Sequence, residues 1–180
     1  MNKIKILINS MRNFVALYPR YCAFLLISVM ISSYNLSRVH APFYYDSSAY
    51  WDLKNLFVRD GEFFLTNYNS ALRGYVLPLL YYFVSLLADW VNVSDVVALE
   101  IFMAIFYSLG ISFLIPSFIE RAFHRQGAFL DIMLFALFLF LFWRGYFFYP
   151  LSDFPALFCF IASINLLYGV RRNETQRANS

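Results

Sequence analysis

Five long apolar runs mark the chain, at 21–36, 74–93, 96–118, 127–143 and 153–170, separated by short polar or charged stretches. A helix needs about 20 mostly apolar residues to cross the ~30 Å hydrocarbon core of a bilayer. The pattern therefore predicts an all-α fold: a polytopic integral membrane helical bundle. Taking every run as a crossing gives five spans.

The run at 74–93 differs from the others. Tyr75, Pro78, Tyr82, Ser85, Asp89 and Asn92 recur at three- and four-residue steps and make one polar-tinged stripe of a helix. Such a helix suits the membrane interface or a wet cavity better than a lipid-surrounded span. Pro78 adds a kink. Charge placement separates the two layouts. With the N-terminus inside, five spans put five basic residues in the cytoplasm and nine outside. If 74–93 instead returns to the outer face, the inner set becomes Lys3, Lys5, Arg12, Arg20, Arg121, Arg125, Arg171, Arg172 and Arg177, nine against five. Positively charged loops are retained inside, so the chain is expected to have four spans, with five as the alternative.

The expected layout is a single transmembrane domain over 1–180. It has an inner basic helix (1–17), span one (18–36), an outer loop with amphipathic and juxtamembrane helices (37–95), span two (96–118), span three (127–143), span four (153–170) and a polar, disordered tail (173–180). Composition agrees: 61% of residues are hydrophobic and 14% charged, against about 45–50% and 25% in soluble domains. Disordered chains, disulfide scaffolds and ordinary cytosolic enzymes are excluded. The first run lacks a small-residue cleavage site and reads as an uncleaved span. Cys22 and Cys159 lie in different apolar runs and read as two buried thiols.

The outer loop carries most of the polar groups. From Asp46 to Phe57 the apolar residues recur as Ala49, Tyr50, Leu53, Leu56 and Phe57, a short amphipathic helix. Asp46, Tyr50 and Leu53 share a face, whereas Asp52 lies about 240° around from Asp46. Asp46 is thus the acid that faces a site, or, with Ser47 and Ser48, it caps the helix. Tyr50 and Trp51 suit stacking on a sugar ring, and equally suit an interfacial aromatic belt. At the mouth of span four, Ser152 and Asp153 can cap that helix; an acid at the rim of a span also requires a partner. Arg144 and Arg73 fall on the same side.

Other chemistries are missing. The glycines form no phosphate-cradling loop. His40 and His124 fall on opposite sides of the membrane, so no His/Cys metal cluster is expected, and the basic residues make no nucleic-acid footprint. Glu100 and Asp131 read as near span ends, which disfavours an ion or solute transporter.

An outer acid in an Asp46-x-x-x-Tyr50-Trp51 setting follows the first span. Arg73-Gly74-Tyr75-x-x-Pro78 then opens a juxtamembrane helix, and Tyr149-Pro150-Leu151-Ser152-Asp153-Phe154-Pro155-Ala156-Leu157 precedes a later span. This order resembles the N-terminal part of the GT-C superfamily of polytopic glycosyltransferases, the protein O-mannosyltransferase-like and lipid A sugar transferase-like enzymes, over residues 20–170. The resemblance implies a membrane glycosyltransferase, or its N-terminal module, using a polyprenyl-phosphate sugar on the outer face of a bacterial cytoplasmic membrane. It makes Asp46 the catalytic base or metal ligand and Asp153 a second acid of the site. Tyr50 and Trp51 would contact substrate. Arg73, Arg144 or a divalent cation would stabilise the departing phosphate. Partial burial would make Asp46 a better base. Members of the superfamily have further spans, so the alternative expectation is a non-catalytic subunit of a larger membrane protein or a lipid-carrier translocation component. Expected partners are membrane lipids and a lipid-linked sugar, and no nucleic acid.

Overall fold

The structure, a computed structural model, describes residues 2–41, 43–44, 46–59 and 74–178. It is all-helical, with no strand among the described residues. In chain order the helices are α1 (Asn2–Leu17), α2 (Pro19–Leu36), α3 (Asp46–Asp52), α4 (Lys54–Arg59), α5 (Val76–Val91), α6 (Asp95–Leu109), α7 (Ile115–Phe123), α8 (Phe129–Phe148) and α9 (Asp153–Ala178). A π-helical turn, Gly110–Leu114, joins α6 to α7 without a break.

Local sequence explains most of these boundaries. Pro19 opens α2, where its missing N–H costs nothing. Ser94 caps α6 by accepting from the Val97 N–H, and Asp95 sits in the first turn, favoured by the helix dipole. Asn92 and His124 take left-handed conformations that end α5 and α7. Pro116 lacks an N–H and its ring crowds the carbonyl four residues back. The helix relieves that crowding by widening into the π turn, where the Ile115 N–H reaches back to the Gly110 carbonyl.

Two helices are long and apolar enough to cross a membrane: the continuous α6–α7 rod, Asp95–Phe123, of 29 residues, and α8, of 20 residues. At ~1.5 Å per residue the rod extends ~43 Å. α5 and the apolar part of α9, Asp153–Gly169, are shorter apolar helices.

The core forms where one face of α2 meets α6. Ala23, Ile27, Ile31 and Asn35, spaced by four, are all buried, and the first three pack with Leu99, Met103, Ala104, Tyr107 and Ile111. Small residues let the helices approach closely: a Cβ on Gly110 would lie 2.2 Å from the Phe158 ring. That ring belongs to an aromatic stack in which Phe154 lies 5.5 Å from Phe147 and 6.2 Å from Phe158, with Tyr107 edge-on to Phe147 at 5.3 Å. The stack ties the end of α8 and the start of α9 to α6.

Polar contacts fix which helix ends lie together. At one end Arg20 pairs with Glu120 at 2.6 Å and donates to Ser117, while Arg121 donates to the Asn165 carbonyl. At the other end Asn35 donates to the Phe147 carbonyl at 2.9 Å and to that of Glu100 at 3.4 Å. The chain thus leaves α2 and enters α6 at the same end, which also holds the end of α8 and the start of α9. α5 packs against α3, α4 and α6.

Several sequence expectations change in detail. The amphipathic segment after Asp46 is two helices, broken at Leu53, rather than one. The break lets Lys54 turn inward. α8 runs to Phe148, five residues past the expected end, kinking at Trp143 (φ −128°, ψ 24°). α9 continues through Arg171 and Arg172 to Ala178, across the stretch whose polarity reads as a disordered tail. Cys159 faces outward instead of being buried, and Cys22 is half-buried.

Candidate functional site

The end shared by α2, α3, α6, α8 and α9 gathers the acids and tyrosines that the sequence singles out. Tyr50, half-buried on α3, bonds through its hydroxyl to Ser152 Oγ at 3.2 Å, beside Asp153. Two motifs about a hundred residues apart in sequence are thereby brought to one rim. Asp46 is the first residue of α3 and is exposed, not partly buried as the sequence reading expects. Asp153 is the first residue of α9 and is also exposed. Asp52 is exposed, about one and two-thirds turns along from Asp46.

Trp51 is committed to packing. Its ring lies 5.9 Å from Phe43 and 6.1 Å from Tyr81, and Lys54 Nζ sits 3.6 Å from its centroid. Lys54 itself is only 5% exposed; it donates to Ser85 Oγ at 2.7 Å and pairs with Asp95. This lysine, which the sequence offers only as one outer charge, pins α4 to α5 and to the start of α6. It also explains Ser85 on the polar stripe of α5: that stripe faces α4, where Tyr75 and Tyr82 pack on Phe57.

Arg144 is exposed on α8, and among the described residues no ion pair joins it to Asp153. Arg73 lies outside the described residues. Asp153 lines a shallow groove of about 340 Å³ with Trp143, Tyr146, Phe154, Leu139 and Leu157, between α8 and α9. Its walls are aromatic and aliphatic and the acid stands at the rim, a composition suited to an amphipathic ligand.

Beneath the rim lies a cluster that the sequence reading missed. Glu100 is 0% exposed, and neither carboxyl oxygen has a hydrogen-bond partner among the described residues. The hydroxyls of Tyr81 and Tyr107 and Oδ1 of Asn35 are likewise buried and unpaired. Tyr81 lies within electrostatic reach of Tyr50 and Glu100, and Tyr107 within reach of Tyr81, Glu100 and Asp153. Burial holds the Tyr81 phenol well above the ordinary tyrosine range, so it remains an O–H donor. A file of polar side chains thus leads from the exposed rim at Asp153 and Tyr50 to the enclosed Glu100. The available signal was register. Glu100 precedes Ala104, Tyr107 and Ile111 by four, seven and eleven residues, on the face that packs against α2.

Among the described residues no three His, Cys, Asp or Glu side chains come together as a metal site. Set against family models, curated proteins and solved structures, the chain has no match.

Proposed function

We propose that the chain is a four-span membrane module of GT-C type. It would transfer a sugar from a polyprenyl-phosphate donor at the end that carries Asp46 and Asp153. The observation that carries this reading is the Tyr50–Ser152 contact, which sets the two acidic motifs at one rim. Support for membrane residence comes from the outward faces of the bundle: Leu25, Val29, Leu109, Leu134, Leu141 and Leu166 are all exposed. Apolar surface on that scale marks contact with lipid or protein. In this layout α2, the α6–α7 rod, α8 and α9 cross, and α5 lies with α3 and α4 at the outer face of a bacterial cytoplasmic membrane. The N-terminus is then cytoplasmic, as its lysines and arginines favour.

In the transfer, the acceptor hydroxyl oxygen forms a bond to the anomeric carbon as the carbon–oxygen bond to the polyprenyl phosphate breaks. Asp46 takes the hydroxyl proton. The phosphate leaves as an anion, drawn by Arg144 and Arg73. The groove between α8 and α9 would seat the donor beside Asp153. Tyr50 would orient substrate from the rim, and Trp51 would act by holding α3 in place.

The test is sugar transfer by membranes carrying the chain. Asp46→Asn should abolish turnover while leaving protein levels unchanged, and unchanged turnover would overturn the assignment. A second reading, a non-catalytic subunit of a larger membrane protein, is favoured by α8, whose Leu130, Leu134, Leu137, Phe138, Leu141 and Phe142 are uncovered. Copurification of a stoichiometric larger transferase, with transfer insensitive to Asp46→Asn, would select it.

A further inference from the structure

Of the eight buried side-chain oxygens without partners among the described residues, Ser28 Oγ, Ser112 Oγ and Asn165 Oδ1 belong to other parts of the bundle, and five belong to four residues of α2, α5 and α6. Glu100 Oε1 and Oε2, Asn35 Oδ1, Tyr81 OH and Tyr107 OH are all buried without partners among the described residues. A buried polar atom left unpaired costs about 1–3 kcal/mol, and an unpaired charge more. Domains are stable by only about 5–15 kcal/mol in total, so such a group needs a compensating occupant.

The chemistry of the group limits what that occupant is. Every unpaired atom is oxygen, which suits a hard cation rather than a soft metal. Asn35 has its Nδ2 committed to the Phe147 and Glu100 carbonyls, which leaves Oδ1 as the available end. Glu100 is the one carboxylate enclosed among these atoms, since Asp153 is exposed at the rim. A monovalent ion balances that charge; a divalent ion would leave a net charge in a low-dielectric interior. Among the described cations at this end, Arg144 is exposed on the surface of α8 and two others have partners of their own. Lys54 pairs with Asp95, and Arg38 lies over the rings of Tyr34 and Phe148.

We infer that Glu100, Asn35, Tyr81 and Tyr107 form a binding site for a hard monovalent cation of the sodium class within the helical bundle. The ion enters past Tyr50 and Asp153 and ties α2, α5 and α6 together beneath the rim. The site stands independently of sugar transfer.

The test uses the full chain purified in detergent micelles. Thermal unfolding is followed while NaCl replaces choline chloride at constant ionic strength, choline being too large to enter. The midpoint should rise with sodium and saturate, as binding to the folded state requires. Glu100→Gln, nearly identical in shape, should remove the rise. Equal midpoints in sodium and choline would overturn the proposal, showing that carboxyl and phenols satisfy one another. A sodium response retained in Glu100→Gln would overturn it too, by placing the ion elsewhere. Should Glu100→Gln fail to fold, sodium-23 line broadening on the wild-type chain decides: broadening that is weakened in Tyr107→Phe supports the site, and no broadening overturns it.

Discussion

Tyr50 on α3 and Ser152 at the mouth of α9 meet hydroxyl to hydroxyl at 3.2 Å. Neither is a carboxylate, yet their contact decides where the two acidic motifs stand. It holds the short helix after α2 against the start of α9, while Trp51 of that helix lies 6.1 Å from Tyr81. A hydrogen bond of this kind contributes about 0.5–1.5 kcal/mol net. Tyr50→Phe and Ser152→Ala should each lower thermal stability slightly. Combined, they should lower it by less than the sum, with a coupling of about 0.5–1 kcal/mol in a double-mutant cycle. Full additivity would show that the two hydroxyls do not interact.

The pair Lys54–Asp95 is asymmetric. Lys54 is buried, while the Asp95 side chain is 38% exposed. Removing the partner of a buried charge is expensive, about 3–5 kcal/mol when both ions are enclosed, and less here because water reaches Asp95. Asp95→Asn, which strands the lysine, should therefore destabilise more than Lys54→Met, which leaves the acid in partial contact with water and keeps an apolar stem over Trp51. Comparison of unfolding midpoints in one detergent checks the order. The reverse order would mean that the Trp51 contact, rather than the ion pair, holds Lys54.

At Gly110 the Phe158 ring occupies the space of a side chain, with ring atoms 2.2, 2.3 and 2.6 Å from an ideal Cβ. The ring is itself packed against Phe106, Tyr107 and Phe154, so it cannot simply swing away. Overpacking of this kind costs about 1–3 kcal/mol. Gly110→Ala should destabilise by about that amount. Phe158→Leu in the same chain should recover part of the loss, although Phe158→Leu alone destabilises.

The all-helical architecture was legible because long apolar runs and their polar punctuation act locally. Pro19, Ser94 and Asp153 start helices close to where the pattern places them. The Arg20–Glu120 pair brings the start of α2 and the end of α7 to one end of the bundle. What escaped was tertiary. Lys54 counts in the sequence only as one basic residue of the outer loop, and the break at Leu53 turns it inward against Ser85 of α5. Glu100 reads as lying near a span end because it is only five residues into α6, about 7.5 Å. The helices packed on α6 are α2, α5 and α8, and the periodicity of α6 alone does not reveal them. Asn35 carried a weak signal, as the fourth member of an otherwise apolar every-fourth-residue stripe on α2.

The proposed transfer requires Asp46 and Asp153 to face one compartment. In a chain with Cys22→Ser and Cys159→Ser, single cysteines at Asp46→Cys and Asp153→Cys can be labelled in intact cells with a membrane-impermeant maleimide. Both positions should react from outside, without permeabilisation. Labelling of one from outside and of the other only after the membrane is opened would contradict the shared rim and the transfer reaction built on it.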